Sequence, residues 1–401
     1  MKKKMILIIG LIIYLIFAFV SEIFYRESLY KISVEYMKKM EQNKFLDYFN
    51  YFWSYPFLFI QMLCGTIFTF FMYPINIFFC NFSYELFLSF IMSILKSLYA
   101  SPRPFWDIYI EKKEEGDSSS KPIECDGGFG NPSGHALQST YILFLWYLFI
   151  NSNCFNKIKG KKKIVFKYLL LIFSIICILF IIYSRIYRQV HSFNQIIFGS
   201  VLGISFFIFF CYIFEFDKIS SHDFVIILDK LKYILIPLLI LLFIVSIVLG
   251  LSRHNENEEK YEEILQLYCK KNKEELFGNS TSFSSTLIFP IIGGYVGLLF
   301  LKNKIDKYYK NDEDIFYNWN KRSKIETLKI TLFLLLSFIP LSGIIIPFNI
   351  VILRILLAAF SFFLYGFCFF YLCFYNACAI FRKPKEEIST LISSEEEEEK
   401  I

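Results

Sequence analysis

Charge is scarce in this chain and nearly balanced. Charged residues fill only 19% of the 401 positions, and the basic excess is +6 at pH 7, spread over many loops. That gives no footing for a nucleic-acid partner. Histidine is rarer still, with four residues in all, and no internal repeat is apparent. Cysteine is present ten times, yet eight of these lie in or beside apolar runs, where the side chain acts as a small buried hydrophobe. Neither a metal site nor a disulfide framework is expected. The two exceptions, Cys125 and Cys269, fall in polar loops on one side of the topology given below. They can pair in an oxidising lumen, but separate thiols are the expected outcome.

What the chain has instead is apolar bulk: 56% hydrophobic residues, 50 Phe and a mean hydropathy of +0.48. Two or three soluble domains are excluded at that composition. An all-α, polytopic transmembrane bundle is expected, because backbone groups in hydrocarbon must be satisfied within each helix. Runs long enough to cross about 30 Å of lipid predict ten spans, near 5–21, 56–80, 84–101, 134–151, 165–183, 195–214, 231–251, 283–301, 327–347 and 350–375. The first follows Lys2, Lys3 and Lys4, and Ala18 and Val20 make a poor cleavage site, so an uncleaved anchor is favoured over a signal peptide. Residues 22–54 are expected as an amphipathic surface helix or an ordinary lumenal one. The polar tail, ending in Glu395 to Glu399, is expected to be disordered.

Basic loops are retained in the cytoplasm. Alternate loops carry Lys157 and Lys159 to Lys163, then Lys302 to Lys324, and these with both termini are predicted cytoplasmic. The other loops hold acidic stretches and a sequon at Asn279. A second sequon, at Asn81, falls on the wrong side.

Three polar clusters then face one predicted side, the extracytoplasmic one. Lys96 is followed by Arg103-Pro104, Asn131-Pro132-Ser133-Gly134-His135 opens the fourth span, and Ser184-Arg185 precedes His191. Lys96, Arg103 and Arg185 have the charge to surround a phosphoryl group. Ser133 and Gly134 sit where a helix begins, so free N–H groups can hold a phosphate oxygen. Two imidazoles remain for attack and proton transfer. Each residue alone has a plainer reading: Lys96 as a snorkelling end, Ser133 as an N-cap, Arg185 as a headgroup anchor. Together they share type, order, spacing and side. His222 and His254 lack such company and read as surface residues.

These clusters resemble the signature of the type 2 phosphatidic acid phosphatase and vanadium haloperoxidase superfamily. The likeness covers about residues 84–210 and implies a phosphatase core bundle needing no metal or other cofactor. It implies His191 as nucleophile and His135 as general acid, with Lys96, Arg103, Ser133, Gly134 and Arg185 on phosphate. The family usually has Asp four residues after the nucleophile, where this chain has Gln195. Lower activity or a substitute acid is therefore expected. Glucose-6-phosphatases, which have Gln there, also resemble the lead-in Cys125-Asp126-Gly127-Gly128-Phe129-Gly130-Asn131 and the aromatics Phe105-Trp106.

The implied organisation is an anchor with a lumenal segment (1–55), a phosphatase core (56–215), further membrane helices (216–381) and a tail (382–401). The implied substrate is a lipid phosphate or diphosphate at an endomembrane, such as the endoplasmic reticulum, with a sugar phosphate as the alternative. A non-catalytic anion-binding protein is the remaining reading. The lipid bilayer is the expected partner, and no obligate protein partner is readable.

Overall fold

The computed structural model describes residues 2–41, 43–57, 60–61, 75–117, 121–153, 161–213, 221–253, 255–271, 275–308 and 351–380, with 332, 336, 339 and 340 between. Among them the chain is all-helical. The helices are α1 (Lys2–Lys38), α2 (Lys44–Ser54), α3 (Ile75–Tyr99), α4 (Pro104–Glu114), α5 (Gly134–Asn153), α6 (Lys161–Tyr187) and α7 (Phe193–Ile213). There follow α8 (Ser221–Ser252), α9 (Glu258–Cys269), α10 (Phe277–Ser284), α11 (Phe289–Tyr308) and α12 (Val351–Ile380).

Seven helical stretches are long and apolar enough to cross a bilayer: Ile9–Lys38, Ile77–Tyr99, Lys161–Tyr187, Phe193–Cys211, Asp223–Ser252, Phe277–Lys302 and Val351–Tyr371. Their outward faces explain the composition. On α6, Ile164, Leu169, Ile172, Phe173 and Leu179 are all exposed, as are Ile234, Leu241 and Val248 on α8. Apolar stripes of that length are untenable against water and suit lipid chains. The chain is an integral membrane protein.

Several expectations change against this architecture. Seven such stretches are described, not ten, and the expected spans at 56–80 and 327–347 fall largely outside the described residues, as do the acidic tail and His254. Helix α5 is not among the seven, because His135, Gln138, Ser139 and Thr140 make its first two turns polar. The loop expected around the Asn81 sequon is helix. Asn81 is buried within α3 and its amide nitrogen donates to Glu85 one turn on at 3.1 Å, a bond made within the helix. The anchor does not end near residue 21; α1 continues unbroken to Lys38. The polar residues that suggested a break, Glu22 and Arg26, pair with each other across one turn at 2.5 Å.

Two close packings position the site. Helix α7 lies on α5 through Gly199 and Gly203, one turn apart. A methyl on Gly199 would meet the Ser133 carbonyl at 2.5 Å, and one on Gly203 the Leu137 carbonyl at 2.6 Å. The small-residue stripe lets the two backbones touch, and overpacking it would cost about 1–3 kcal/mol. At one end of the bundle a cap forms from α4, α9 and the last turns of α1, around the buried Phe105, Trp106, Tyr109, Phe129 and Leu265. Helix α4 starts cleanly there, with Pro104 in its first turn, where a missing N–H costs nothing. Asp107 binds the cap together, accepting from Tyr30 of α1 at 2.7 Å and Tyr261 of α9 at 2.8 Å.

Cys125 and Cys269 are not separate thiols: they form a disulfide, with Cα atoms 5.6 Å apart. The cap explains the difference, since α9 packs on α4 and brings its last residue, Cys269, against Cys125, 144 residues earlier in the chain. Differential alkylation of the unreduced, denatured protein should leave Cys125 and Cys269 unlabelled while the free Cys80 and Cys177 label. Cys269→Ser should lower the unfolding free energy by about 2–5 kcal/mol, read from thermal unfolding in detergent.

Candidate active site

The three sequence clusters converge at the cap end of the bundle, and Arg103 is where they meet. Its side chain is fully buried. Nε donates to the Gly128 carbonyl at 2.5 Å and Nη1 to the Val190 carbonyl at 3.0 Å, with Nη2 on Phe129 at 3.3 Å. Nη2 also pairs with Asp126 at 2.7 Å. One guanidinium therefore fixes the segment before α5 and the segment before α7 relative to α4.

Arg103 also faces His191, Nη1 lying 3.4 Å from Nε2. A guanidinium has only donors, so Nε2 must accept. The other ring nitrogen, Nδ1, lies 3.1 Å from Gln195 Oε1. Which way that amide points is fixed: its Nε2 donates to the Pro102 carbonyl at 2.8 Å, and its Oε1 also accepts from the Ser192 N–H at 3.2 Å. Both sides thus assign the same tautomer, with the proton on Nδ1 and a lone pair on Nε2. Gly130 leaves room for this amide, since a methyl there would meet Gln195 Nε2 at 2.6 Å and the Pro102 carbonyl at 2.8 Å. Burial pushes the His191 imidazole well below its usual range, and the charges of Arg103, Arg185 and Lys96 push it further. It is neutral at physiological pH. No carboxylate hydrogen-bonds it among the described residues; Gln195 has that place.

Arg185, at the end of α6 and fully buried, points its two Nη atoms at both oxygens of Glu124, at 3.1 and 2.7 Å. Arg188, one turn on, adds Nε at 2.5 Å to the same carboxylate. Burial pushes the Glu124 carboxyl up, but Arg185, Tyr55 and Arg188 outweigh it and hold it at about 2. Both arginines lie over the Tyr55 ring, at 5.8 and 5.5 Å.

His135, in the first turn of α5, has Nε2 3.0 Å from the Ser54 carbonyl. A carbonyl only accepts, so Nε2 carries a proton there and Nδ1 is the nitrogen left for proton exchange. Ser133 differs from the expectation. Its N–H donates to the Gln195 carbonyl at 3.0 Å and its hydroxyl accepts from the Ala136 N–H at 3.4 Å. The Gly134 and His135 N–H groups remain at the helix start. Lys96, half-buried in the last turn of α3, has no hydrogen-bond or ion-pair partner among the described residues. Its charge still reaches His191 and Asp126.

Beside this cluster lies a cavity of about 230 Å³, lined in part by Tyr55, Glu124, Asp126, Lys271, Asn279 and Arg354. Neither histidine lines it. The sequence motifs did not single out Glu124, Arg188, Tyr55 or Glu22. Arg188 was legible as a second guanidinium one turn after Arg185. Glu22 was not, since its bond to Asn131 at 2.8 Å spans 109 residues.

No curated protein and no solved structure matches the chain, and the narrower likeness to glucose-6-phosphatases has no match behind it. The family model of the PAP2 superfamily does match, over residues 78–219, a stretch holding all three clusters and Gln195. Those residues are a PAP2 superfamily domain within an integral membrane protein, and that membership points to phosphatase chemistry.

Proposed function

We propose that the chain is a membrane phosphatase that hydrolyses a lipid phosphate or diphosphate through a phosphohistidine on His191. The observation that carries the reading is the state of that imidazole: neutral, with its Nε2 lone pair directed into a cluster of cations. Nε2 attacks phosphorus as the ester oxygen leaves. Burial holds the free His135 imidazole well below its usual range, so it takes a second proton, on Nδ1, with the anionic substrate and passes that proton to the departing oxygen. Water then attacks the phosphohistidine, giving its proton to His135, and inorganic phosphate departs. Lys96, Arg103 and Arg185 offset the charge on the phosphoryl oxygens, with the N–H groups opening α5 as further donors. No metal is needed for that charge balance.

Access from the bilayer supports a lipid substrate. Helix α2 shows exposed Phe45, Tyr48, Tyr51 and Phe52, aromatics that favour the membrane interface, and its end supplies the carbonyl that holds His135. A sugar phosphate is the second reading, favoured by the charged lining of the adjoining cavity. The site is read as extracytoplasmic, in an endomembrane such as the endoplasmic reticulum. The disulfide beside it supports an oxidising compartment. A glycosylation tag near residue 115 should accordingly be modified and one near residue 160 should not; the opposite pattern inverts the topology.

Rapid quench with labelled substrates tests the mechanism. His191→Ala should accumulate no acid-labile phosphoenzyme from any substrate. His135→Ala should lose about 10² to 10⁴-fold in turnover of an alkyl ester yet still form phosphoenzyme from an aryl phosphate. The converse result exchanges the two roles. A panel of phospholipid and sugar phosphates decides the leaving group.

Burial and the surrounding cations set the pH dependence of His191, and the neutral Gln195 amide does not counter them. The nucleophile acts unprotonated, so the acid limb of the kcat/KM profile should lie well below pH 6.5 in the parent enzyme. A carboxylate at that place would favour the imidazolium. Gln195→Glu should therefore move the limb to higher pH, by about 1–3 units. An unmoved limb would mean that some group other than His191 titrates there.

A further inference from the structure

We infer that Glu124 is a resident carboxylate that occupies the phosphate-binding end of the site and must swing into the adjoining cavity before a phosphoryl group can enter. The inference rests on the reading that Arg185 binds phosphate. Three observations carry it.

The first is what Arg185 holds. Both of its Nη atoms are directed to the two oxygens of Glu124, and Arg188 shares one of them. A carboxylate gripped in this way presents the paired oxygens that a phosphate would present to the same fork. Meanwhile Arg185 Nε is buried with no hydrogen-bond partner among the described residues. The resident anion thus satisfies the guanidinium incompletely, whereas a tetrahedral anion has oxygens to spare for the remaining donor.

The second is position. Glu124 and Asp126 line the cavity of about 230 Å³, while His191, His135, Lys96 and the two arginines do not. The two carboxylates therefore stand between that cavity and the cations. The third is the existence of somewhere to go. Lys271 and Arg354 line the same cavity, and among the described residues Lys271 has only a loose pairing with Glu275 at 3.4 Å. A displaced carboxylate would meet cations there. The main chain need not move, because Cys125 is bonded to Cys269 and Asp126 is paired with Arg103. Rotation of one side chain suffices.

A fixed carboxylate that merely orients Arg185 would give the same static contacts, so the two roles are separated by the sign of an effect. The probes are orthovanadate and inorganic phosphate, with equilibrium binding measured by calorimetry on the full chain in nanodiscs. In the resident-anion case Glu124→Gln should tighten both anions by about tenfold or more, since the fraction of open sites rises. Glu124→Asp, which keeps the charge but shortens the reach, should also tighten them and guards against a folding defect in the first variant. Lys271→Gln with Arg354→Gln should weaken both anions several-fold, and that loss should vanish in the Glu124→Gln background. Binding that is unchanged or weaker in both Glu124 variants overturns the inference and leaves the phosphatase reading intact. So does a Lys271 and Arg354 effect that persists without Glu124, because those groups would then meet the anion directly. Failure of every form to bind either anion overturns the inference together with the phosphate site itself.

Discussion

A single buried guanidinium holds together the end of this molecule where the two histidines lie. Arg103 has five N–H donors and no exposure, and it distributes them over the carbonyls of Gly128, Phe129 and Val190 and the carboxylate of Asp126. Burying such a charge is costly unless every donor finds a partner. Here the partners are backbone atoms from the two segments that lead into α5 and α7. The requirement to satisfy Arg103 therefore dictates where the starts of those helices lie, and with them both histidines. A lysine would not substitute, since three donors on a flexible stem cannot fix three separate strands of chain.

Around that hub the charges are deliberately unequal. Arg103, Arg185 and Arg188 are matched by only Glu124 and Asp126, and Lys96 has no ion-pair partner among the described residues. Burial does most to keep His191 neutral, and the imbalance adds to it, because each nearby cation opposes its protonation. The same imbalance makes the site receptive to a doubly charged anion. On the proposed reading, the excess of positive charge helps both to keep the attacking imidazole unprotonated and to hold the phosphoryl group.

The helical, membrane-bound character was legible from apolar run lengths alone, and the signature residues were legible because their spacing is short and local. The rest was lost for physical reasons. The Asn81 to Ser83 stretch looks like a break, yet a polar side chain bonding one turn ahead is compatible with helix. Glu22 and Arg26 look like the edge of a membrane segment until they are seen to neutralise one another. Gln195 looked like a weakened aspartate; its amide proves able to accept from the imidazole and donate to Pro102 at once, which a carboxylate cannot do. The Cys125 and Cys269 pairing depends on α9 packing on α4, a contact that no local pattern announces.

That disulfide has a bearing on biogenesis. The ribosome completes the whole PAP2 stretch before it reaches α9, and Cys125 lies 144 residues ahead of its partner. Until Cys269 has been delivered to the same face of the membrane, the segment carrying Glu124 and Asp126 lacks its tether and the cap lacks the tyrosine that grips Asp107. While the chain is still being inserted, the segment carrying Glu124 and Asp126 therefore lacks a covalent restraint that the finished molecule has.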